Sequence, residues 1–308
     1  MKLSPAQRAE FHREGYLVVE DLLTDEDLQP VIDEINEEVD RRARELVASG
    51  DLSRPYEEEG FETRLTRITA ETEKLYRGIY SGQLSGPGIF QLLTNPKLVD
   101  LAESLVGPEI IASSVYRLRP KVPRLPSGVV PWHQDSGYFE PACDDALVLT
   151  YWIPLVDATP ERGCMQVIPR VHQGRVFRHT VQPVIPYLVI VPEEMPPVEP
   201  VTVPVRKGGV LLLTNRTPHC SIENVTDVIR WSMDLRYQSA ALPTNYRTDD
   251  GHPFHDPPDA TPVACYPPEA DFLVRSQLRP WDVVTEWLRF NEIRKTYQSL
   301  PVTARWDH

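Results

Sequence analysis

Residues 131–135, with the sequence Pro-Trp-His-Gln-Asp, are the most informative stretch of this chain. Side chains two residues apart on a β-strand point to the same side, so we expect the side chains of His133 and Asp135 to lie on the same face. An imidazole and a carboxylate are two of the three ligands of a 2-His-1-carboxylate iron site, and the distant His219 supplies a third. The tripeptide alone favours a plainer alternative, in which the histidine hydrogen-bonds to a nearby carboxylate. The rest of the chain must separate these two interpretations.

Length and composition exclude several classes of protein. The chain has 308 residues, with 41% hydrophobic and 25% charged side chains, as expected of a globular protein. Its net charge of −13 argues against a nucleic-acid partner, because such proteins usually carry a basic surplus. The start of the chain predicts a polar helix rather than a signal peptide, and no apolar run is long enough to span a membrane. Because no apolar run could span a membrane, we expect no membrane partner. Four widely spaced cysteines form no Cys-x-x-Cys pair, so we expect a reduced, cytoplasmic protein.

The first third of the chain is predicted to be helical. Ser4 and Pro5 are typical of a helix start, and the helix should end before Gly15. Thr24 should cap a second, longer helix, and a third is expected at about 96–106. The second helix has apolar residues at helical spacing: Leu28, Val31, Ile32, Ile35, Val39, Ala43 and Leu46. Residues 51–65 are predicted to form an exposed acidic loop.

From about residue 110, short β-type runs alternate with Pro- and Gly-containing turns. The predicted strands are 110–118, 129–135, 146–153, 164–168, 201–206, 210–214 and 229–237. Many short strands favour a sandwich or barrel. The Pro-rich stretches 182–204 and 241–268 are predicted to be surface loops. A last amphipathic helix is expected over 279–297, with Trp281, Val284, Trp287, Leu288 and Ile293 on its packed side. Because no linker or repeat divides the chain, we expect one α+β domain over residues 1–308.

One predicted strand alternates strictly between apolar and polar residues. Its polar side consists of Arg230, Ser232, Asp234 and Arg236. Alternation alone favours a polar side that faces solvent. In a barrel that binds a ligand, the same side could instead line the cavity, where an arginine could hold a carboxylate through paired hydrogen bonds.

The order and spacing of these residues resemble a known family. His133-x-Asp135 is followed by a distant His219, by Ser221 two residues later and by Arg230 eleven residues after that histidine. This pattern is similar to that of the phytanoyl-CoA dioxygenase family, whose members are iron- and 2-oxoglutarate-dependent oxygenases. The resemblance extends over most of residues 4–240. It implies a double-stranded β-helix (a jelly roll, cupin-like) with its core at about 110–240 and N-terminal and C-terminal helices packed on one sheet.

The resemblance also implies roles for individual residues. His133, Asp135 and His219 would bind Fe(II), and Arg230 with Ser221 would bind 2-oxoglutarate. Two further residues are predicted beside the co-substrate: Trp152 as a packing residue, and Arg67 in a role that an upstream lysine has in the family. Residues predicted at the substrate are Tyr116, Gln134, Tyr138 and Arg236.

The implied reaction is hydroxylation of a small organic molecule by dioxygen, with 2-oxoglutarate converted to succinate and carbon dioxide. Similar halogenases have a small residue in place of the carboxylate, so Asp135 favours hydroxylation. Arg162-Gly163 and Pro169-Arg170-Val171-His172 depart from the family's pattern and imply a different substrate.

Several alternatives remain open at this stage. The chain could be a β-barrel binding protein without turnover, or a cupin-type metalloenzyme that does not use 2-oxoglutarate. A second metal-like motif occurs at residues 252–256, where a plain loop is favoured. A basic strip made of Arg117, Arg119, Lys121 and Arg124 is predicted to be a solvated strand edge rather than a contact for an anionic substrate.

Overall fold

The structure is a computed structural model that describes residues 1–80, 84–139, 143–181, 187–240 and 271–299. The predicted loop at 241–268, with the metal-like motif at 252–256, lies outside the described residues. No helix within the described ranges is long and apolar enough to cross a membrane.

The N-terminal helices begin and end where the sequence predicts. Helix α1 (Pro5–Glu14) is capped by Ser4, whose side chain accepts a hydrogen bond from Gln7 N, and ends at Gly15 with a φ of 82°. Thr24 caps the long helix α2 (Asp25–Ala48) in the same way. The remaining helices are α3 (Arg64–Glu71), α4 (Lys74–Tyr80), α5 (Pro87–Leu93), α6 (Pro96–Val106) and α7 (Trp287–Ser299).

The strands form two main antiparallel sheets. In chain order they are β1 (Tyr16–Val19), β2 (Ile110–Ser113), β3 (Arg117–Lys121), β4 (Val148–Pro154), β5 (Met165–Val167), β6 (His179–Val181), β7 (Leu188–Ile190), β8 (Val201–Val203), β9 (Val210–Thr214), β10 (His219–Ser221), β11 (Arg230–Ser239) and β12 (Asp271–Arg275). The larger sheet has the order β1-β9-β4-β11-β2-β12, with β3 also paired to β11; the smaller has the order β10-β5-β8. Strands β6 and β7 form a separate hairpin.

The two faces of the larger sheet bury different partners. One face contributes to a core that also contains the apolar residues of α2, α5, α6 and α7; its strand members include Tyr151, Leu212, Trp231 and Met233. The other face contributes Trp152, Leu211 and Leu213 to a second core with residues of the smaller sheet, among them Met165 and Val203. Helices therefore cover one side, and the space between the sheets lies on the other.

Three predicted elements are wrong. The surface loop predicted at 182–204 contains β7, which pairs with β6 and buries Leu188 and Ile190. Residues 129–135 form no regular strand: Pro131 has no N–H to donate, and within this stretch His133 alone forms a bridge, to His219. The last helix starts at Trp287 instead of about residue 279, because Val284 N donates to Leu273 O and so keeps that segment extended beside β12. Trp281, which precedes the helix, is 76% exposed, and Leu288 in its first turn is 66% exposed, so neither is packed as predicted.

Candidate metal centre

The candidate metal centre joins three parts of the chain that are distant in sequence. His219 begins β10, and His133 lies opposite it, with backbone N–O distances of 3.0 and 2.9 Å in the two directions. Asp135 is the first residue of a short 3-10 turn that ends at Tyr138. The candidate ligand atoms of the three buried side chains lie within 4.8 Å of one another. His133 and Asp135 thus meet because the chain turns, and not because they share one face of a strand.

The hydrogen bonds of the two histidines suit metal binding. His133 Nδ1 lies 2.9 Å from the backbone oxygen of Pro131, and His219 Nδ1 lies 2.9 Å from that of Thr217. A proton on each Nδ1 leaves the Nε2 lone pair for a metal, which is the usual arrangement around metal-binding histidines. Burial, helped by the adjacent His219, holds the pKa of His133 well below its ordinary value, so the ring stays neutral.

Asp135 is fixed by two side chains besides the histidines. Thr150 Oγ1 donates to Asp135 Oδ2, and an N–H of Arg236 donates to Asp135 Oδ1 at 3.0 Å. Burial raises the pKa of Asp135. The positive charge of Arg236, with the other neighbours, lowers it by more, so the net pKa is below the ordinary range. The nearest distance from Asp135 Oδ1 to His133 Nε2 is 3.8 Å, too long for the hydrogen bond of the plainer interpretation.

Thr150→Val should weaken metal binding without removing a ligand. Valine has nearly the same shape but no hydroxyl, so Asp135 loses one of the two bonds that orient it. We expect Fe(II) or Zn(II) affinity to fall by about 10- to 100-fold, which is the usual effect of losing such a support. Isothermal titration calorimetry would measure the change.

Thr150→Ser is the matched control, since it keeps the hydroxyl and should retain most of the affinity. Equal metal affinities of wild-type protein and Thr150→Val would show that the hydroxyl does not position the carboxylate.

A second polar cluster lies at Arg230, Ser221 and Lys121. The register of β3 and β11 places Lys121 opposite Arg230, and both side chains are buried. Lys121 Nζ lies 2.7 Å from Ser221 Oγ and 2.5 Å from the backbone oxygen of Ile222. Ser221 Oγ also accepts from Val130 N at 3.1 Å, so its own proton remains to be donated. Arg230 lies over the Trp152 ring at 5.1 Å and donates to Gly163 O at 3.2 Å. A buried guanidinium, a buried amine and a hydroxyl donor are suited to a carboxylate.

Lys121 is the residue that sequence reasoning missed at this cluster. Burial, and then the charge of Arg230, lower its pKa from the ordinary value to about 6. The sequence placed Lys121 in a basic strip at a solvated strand edge. The strand pairing of Lys121 with Arg230 would have identified Lys121 as a site residue. That pairing joins residues about a hundred positions apart, so no local pattern in the sequence shows it.

The depressed pKa of Lys121 predicts how the stability of the ligand-free protein depends on pH. Between about pH 6 and the unfolded pKa of about 10.5, the unfolded chain binds more protons at this residue, so its contribution to stability rises with pH and is lost as pH falls. Lys121→Met should therefore reduce the gain in unfolding free energy between about pH 6.5 and 8.5. Urea titrations at the two pH values would measure this.

Lys74→Met is the control for this measurement. Lys74 is exposed and pairs with Asp51, so its replacement should leave the pH dependence as in the wild type. An unchanged pH dependence in Lys121→Met would contradict the depressed pKa.

The metal cluster and the Arg230 cluster line one cavity of about 230 Å³ between the sheets. Of the residues predicted from sequence it is lined by His133, Asp135, His219, Ser221, Arg230, Trp152, Tyr138 and Arg236. The polar side of β11 thus faces the cavity and not solvent. From the predicted solvated strip, Arg117, Arg119 and Lys121 also line it, whereas Arg124 is exposed and pairs with Asp227.

Three predicted site residues lie elsewhere. Arg67 has a side chain 63% exposed and paired with Glu59, which argues against contact with a co-substrate. Tyr116 lies on the opposite side of β3, in the core with the helices, where its hydroxyl donates to Leu84 O. The buried amide of Gln134 donates to Arg216 O at 2.8 Å and accepts from Phe177 N at 2.7 Å. Its side chain therefore braces a loop instead of reaching substrate.

The donors present fit iron and a 2-oxo dicarboxylate. Two neutral imidazoles and one ionised carboxylate are the donor set of a facial iron site, which leaves coordination positions open. The buried Arg230 and Lys121, with the Ser221 hydroxyl, provide an anion site in the same cavity.

Comparisons with known proteins agree with this chemistry. The family model described as phytanoyl-CoA dioxygenase matches residues 11–232. A bovine (Bos taurus) phytanoyl-CoA dioxygenase domain-containing protein 1 is 29% identical over 273 residues, with 78% of this chain and 91% of the relative covered. A probable α-ketoglutarate-dependent hypophosphite dioxygenase of Stutzerimonas stutzeri is 29% identical over 176 residues, covering 56% of this chain and 55% of that protein.

Among solved structures, the epimerase SnoN in complex with Fe3+, α-ketoglutarate and nogalamycin RO has a similar fold. Its TM-score is 0.56 at 23% identity, with 88% of this chain and 98% of that chain covered. This likeness supports the jelly-roll core. The family match and the His-Asp-His triad identify iron and 2-oxoglutarate as the cofactors.

Proposed function

The chain belongs to the phytanoyl-CoA dioxygenase family, and on this premise we propose that it is a 2-oxoglutarate-dependent oxygenase that hydroxylates a small organic substrate. One observation carries the proposal: a buried His133-Asp135-His219 cluster shares its cavity with Arg230, Lys121 and Ser221. A cupin-type enzyme without 2-oxoglutarate would have no use for a second buried cationic cluster. An inert binding protein would have no use for the metal cluster.

The roles of the residues follow from their contacts. His133, Asp135 and His219 would hold the metal, and dioxygen activation is the chemistry supplied when iron and 2-oxoglutarate are bound. Arg230 would pair with the far carboxylate of the co-substrate while stacked on Trp152, which restricts its orientation. Ser221 would donate its hydroxyl proton to the same carboxylate. The carboxylate would raise the lowered pKa of Lys121, so that Lys121 would add a second positive charge. The buried walls of the cavity would keep water from the reacting atoms.

Hydroxylation is the proposed outcome because the carboxylate ligand is present. Asp135 would occupy a coordination position that a halide would otherwise take. The solved structure of SnoN is that of an epimerase, so the fold accommodates other outcomes as well. The reaction must therefore be tested on its product.

The test is a turnover screen of purified protein with Fe(II), 2-oxoglutarate and dioxygen across classes of small molecules. A substrate should stimulate succinate formation, and isotopically labelled dioxygen should add one labelled oxygen atom to the product seen by mass spectrometry. Succinate formation with an unoxygenated product would overturn hydroxylation but keep the oxygenase class. Failure to bind either Fe(II) or 2-oxoglutarate would overturn the whole proposal.

A further inference from the structure

The cavity wall formed by β3 carries a row of three cations. Arg117, Arg119 and Lys121 alternate with Leu118 and Pro120, and all three cations line the cavity. Because residues along a strand rise about 3.3 Å each, the Cα atoms of Arg117 and Lys121 are separated by about 13 Å. Lys121 lies at the proposed co-substrate cluster, so Arg117 marks the other end of the row.

The charge of the cavity is opposite to that of the whole chain. Five basic side chains line it: Arg117, Arg119, Lys121, Arg230 and Arg236. Among the residues that the structure describes, two carboxylates line it, Asp135 and Asp234, although the chain has a net charge of −13. A metal ion would add further positive charge, so one dianionic co-substrate would leave a positive excess.

The contacts of these cations distinguish Arg117 from the others. Arg236 is paired with Asp135 at 3.0 Å, and Arg119 with Asp234 at 2.9 Å. Arg230 and Lys121 belong to the proposed co-substrate cluster. Arg117 donates to its neighbour's backbone oxygen, that of Tyr116, at 3.2 Å. Among the residues that the structure describes, no carboxylate lies within ion-pair distance of Arg117, although Asp234 is its partner in the strand register.

We propose that Arg117 anchors the substrate through an anionic group, and that the substrate is a small organic anion such as a carboxylate or phosphonate. This inference rests on the proposed function, because it assigns Arg230 and Lys121 to the co-substrate. Arg119, held by Asp234, would line the path between the two anions without binding either strongly.

The size and position of the cavity support a small substrate. Its volume of about 230 Å³ is below the roughly 300–1,000 Å³ typical of drug-sized ligands, and the co-substrate must share it. Arg236 donates both to Asp135 and to the backbone oxygen of Val115, two residues before Arg117. The proposed anchor therefore lies near the metal cluster, where the remainder of a short substrate would reach the reacting position.

The test uses pairs of small molecules that differ in charge. Butanoate, hexanoate, octanoate and the matching alkylphosphonates are each compared with their uncharged methyl esters. Binding is measured anaerobically, as perturbation of the visible absorption of the Fe(II)–2-oxoglutarate complex, and turnover is measured as succinate release. We expect the anions to bind more tightly than their esters. Whether the carboxylates or the alkylphosphonates bind more tightly should then identify the anionic group.

Arg117→Met should reduce that anion affinity by about 10- to 100-fold, as expected for the loss of hydrogen bonds to a charged group, and should leave the Kd of 2-oxoglutarate unchanged. Arg117→Lys should lose less, because it keeps the charge. Arg124→Met, at an exposed arginine paired with Asp227, is the matched control and should behave as wild type.

Three outcomes would overturn the inference. Esters could bind as well as anions, Arg117→Met could bind anions as wild type does, or it could weaken 2-oxoglutarate binding and so place Arg117 in the co-substrate site. In each of them a normal Fe(II)–2-oxoglutarate spectrum would leave the proposed function standing. Absence of that spectrum in wild-type protein would instead remove the proposed function.

Discussion

His219→Ala is expected to weaken Fe(II) binding by more than about 100-fold, because losing a supporting residue alone costs about 10- to 100-fold and this change removes a ligand. Two ligands would remain, His133 and Asp135, and two protein ligands are too few to form the three-ligand site. The visible charge-transfer band that Fe(II) and 2-oxoglutarate should give under anaerobic conditions should disappear, together with succinate formation. Calorimetry and absorption spectroscopy on the same samples would measure both.

His12→Ala is the matched control for this experiment. His12 is exposed on α1, where its ring packs edge-on with that of Phe11, so metal binding should be unchanged. Thermal unfolding should show that His219→Ala still folds. A full charge-transfer band in folded His219→Ala, or none in the wild-type protein, would rule out the proposed metal centre.

Arg230→Met should raise the Kd of 2-oxoglutarate by about 30-fold or more, because truncating one partner of a buried charge pair costs about 2–5 kcal/mol. Methionine keeps most of the side-chain volume against Trp152 but cannot pair with a carboxylate. Metal affinity should stay near the wild-type value, since Arg230 is not one of the three candidate ligands and donates to Ser232 Oγ and Gly163 O. Titration of 2-oxoglutarate into the Fe(II) protein, followed by the charge-transfer band, would give the Kd.

Arg124→Met is the matched control, because it also replaces an arginine by methionine but removes an exposed guanidinium, near the same end of β3. Unchanged 2-oxoglutarate affinity and unchanged turnover in Arg230→Met would favour a metalloenzyme that does not use this co-substrate. Loss of metal binding together with 2-oxoglutarate binding would indicate a general collapse of the cavity instead.

The identity of the chemical groups at the site could be predicted from the sequence. The His-x-Asp pair and the distant histidine could be chosen because metal binding restricts which residue types can serve. Ser221 and Arg230 could be chosen because their order and spacing resemble the family's pattern. Helix limits were also local: Ser4 and Thr24 cap their helices with side chains three residues from the bonded N–H groups, and Gly15 supplies the left-handed conformation that ends α1.

Which of these groups share the cavity depends on how the strands pair and pack. Tyr116 directly precedes β3 and Arg117 begins it, and the helices that cover one face of the larger sheet determine that Tyr116 is in the core and Arg117 in the cavity. The pairing of Lys121 with Arg230, rather than any local pattern, makes Lys121 and not Arg67 the second cation beside Arg230. His133 and Asp135 likewise converge through a bridge to His219 and a 3-10 turn. Such pairings join residues about a hundred positions apart, and their register is set by long-range packing that no short stretch of sequence contains.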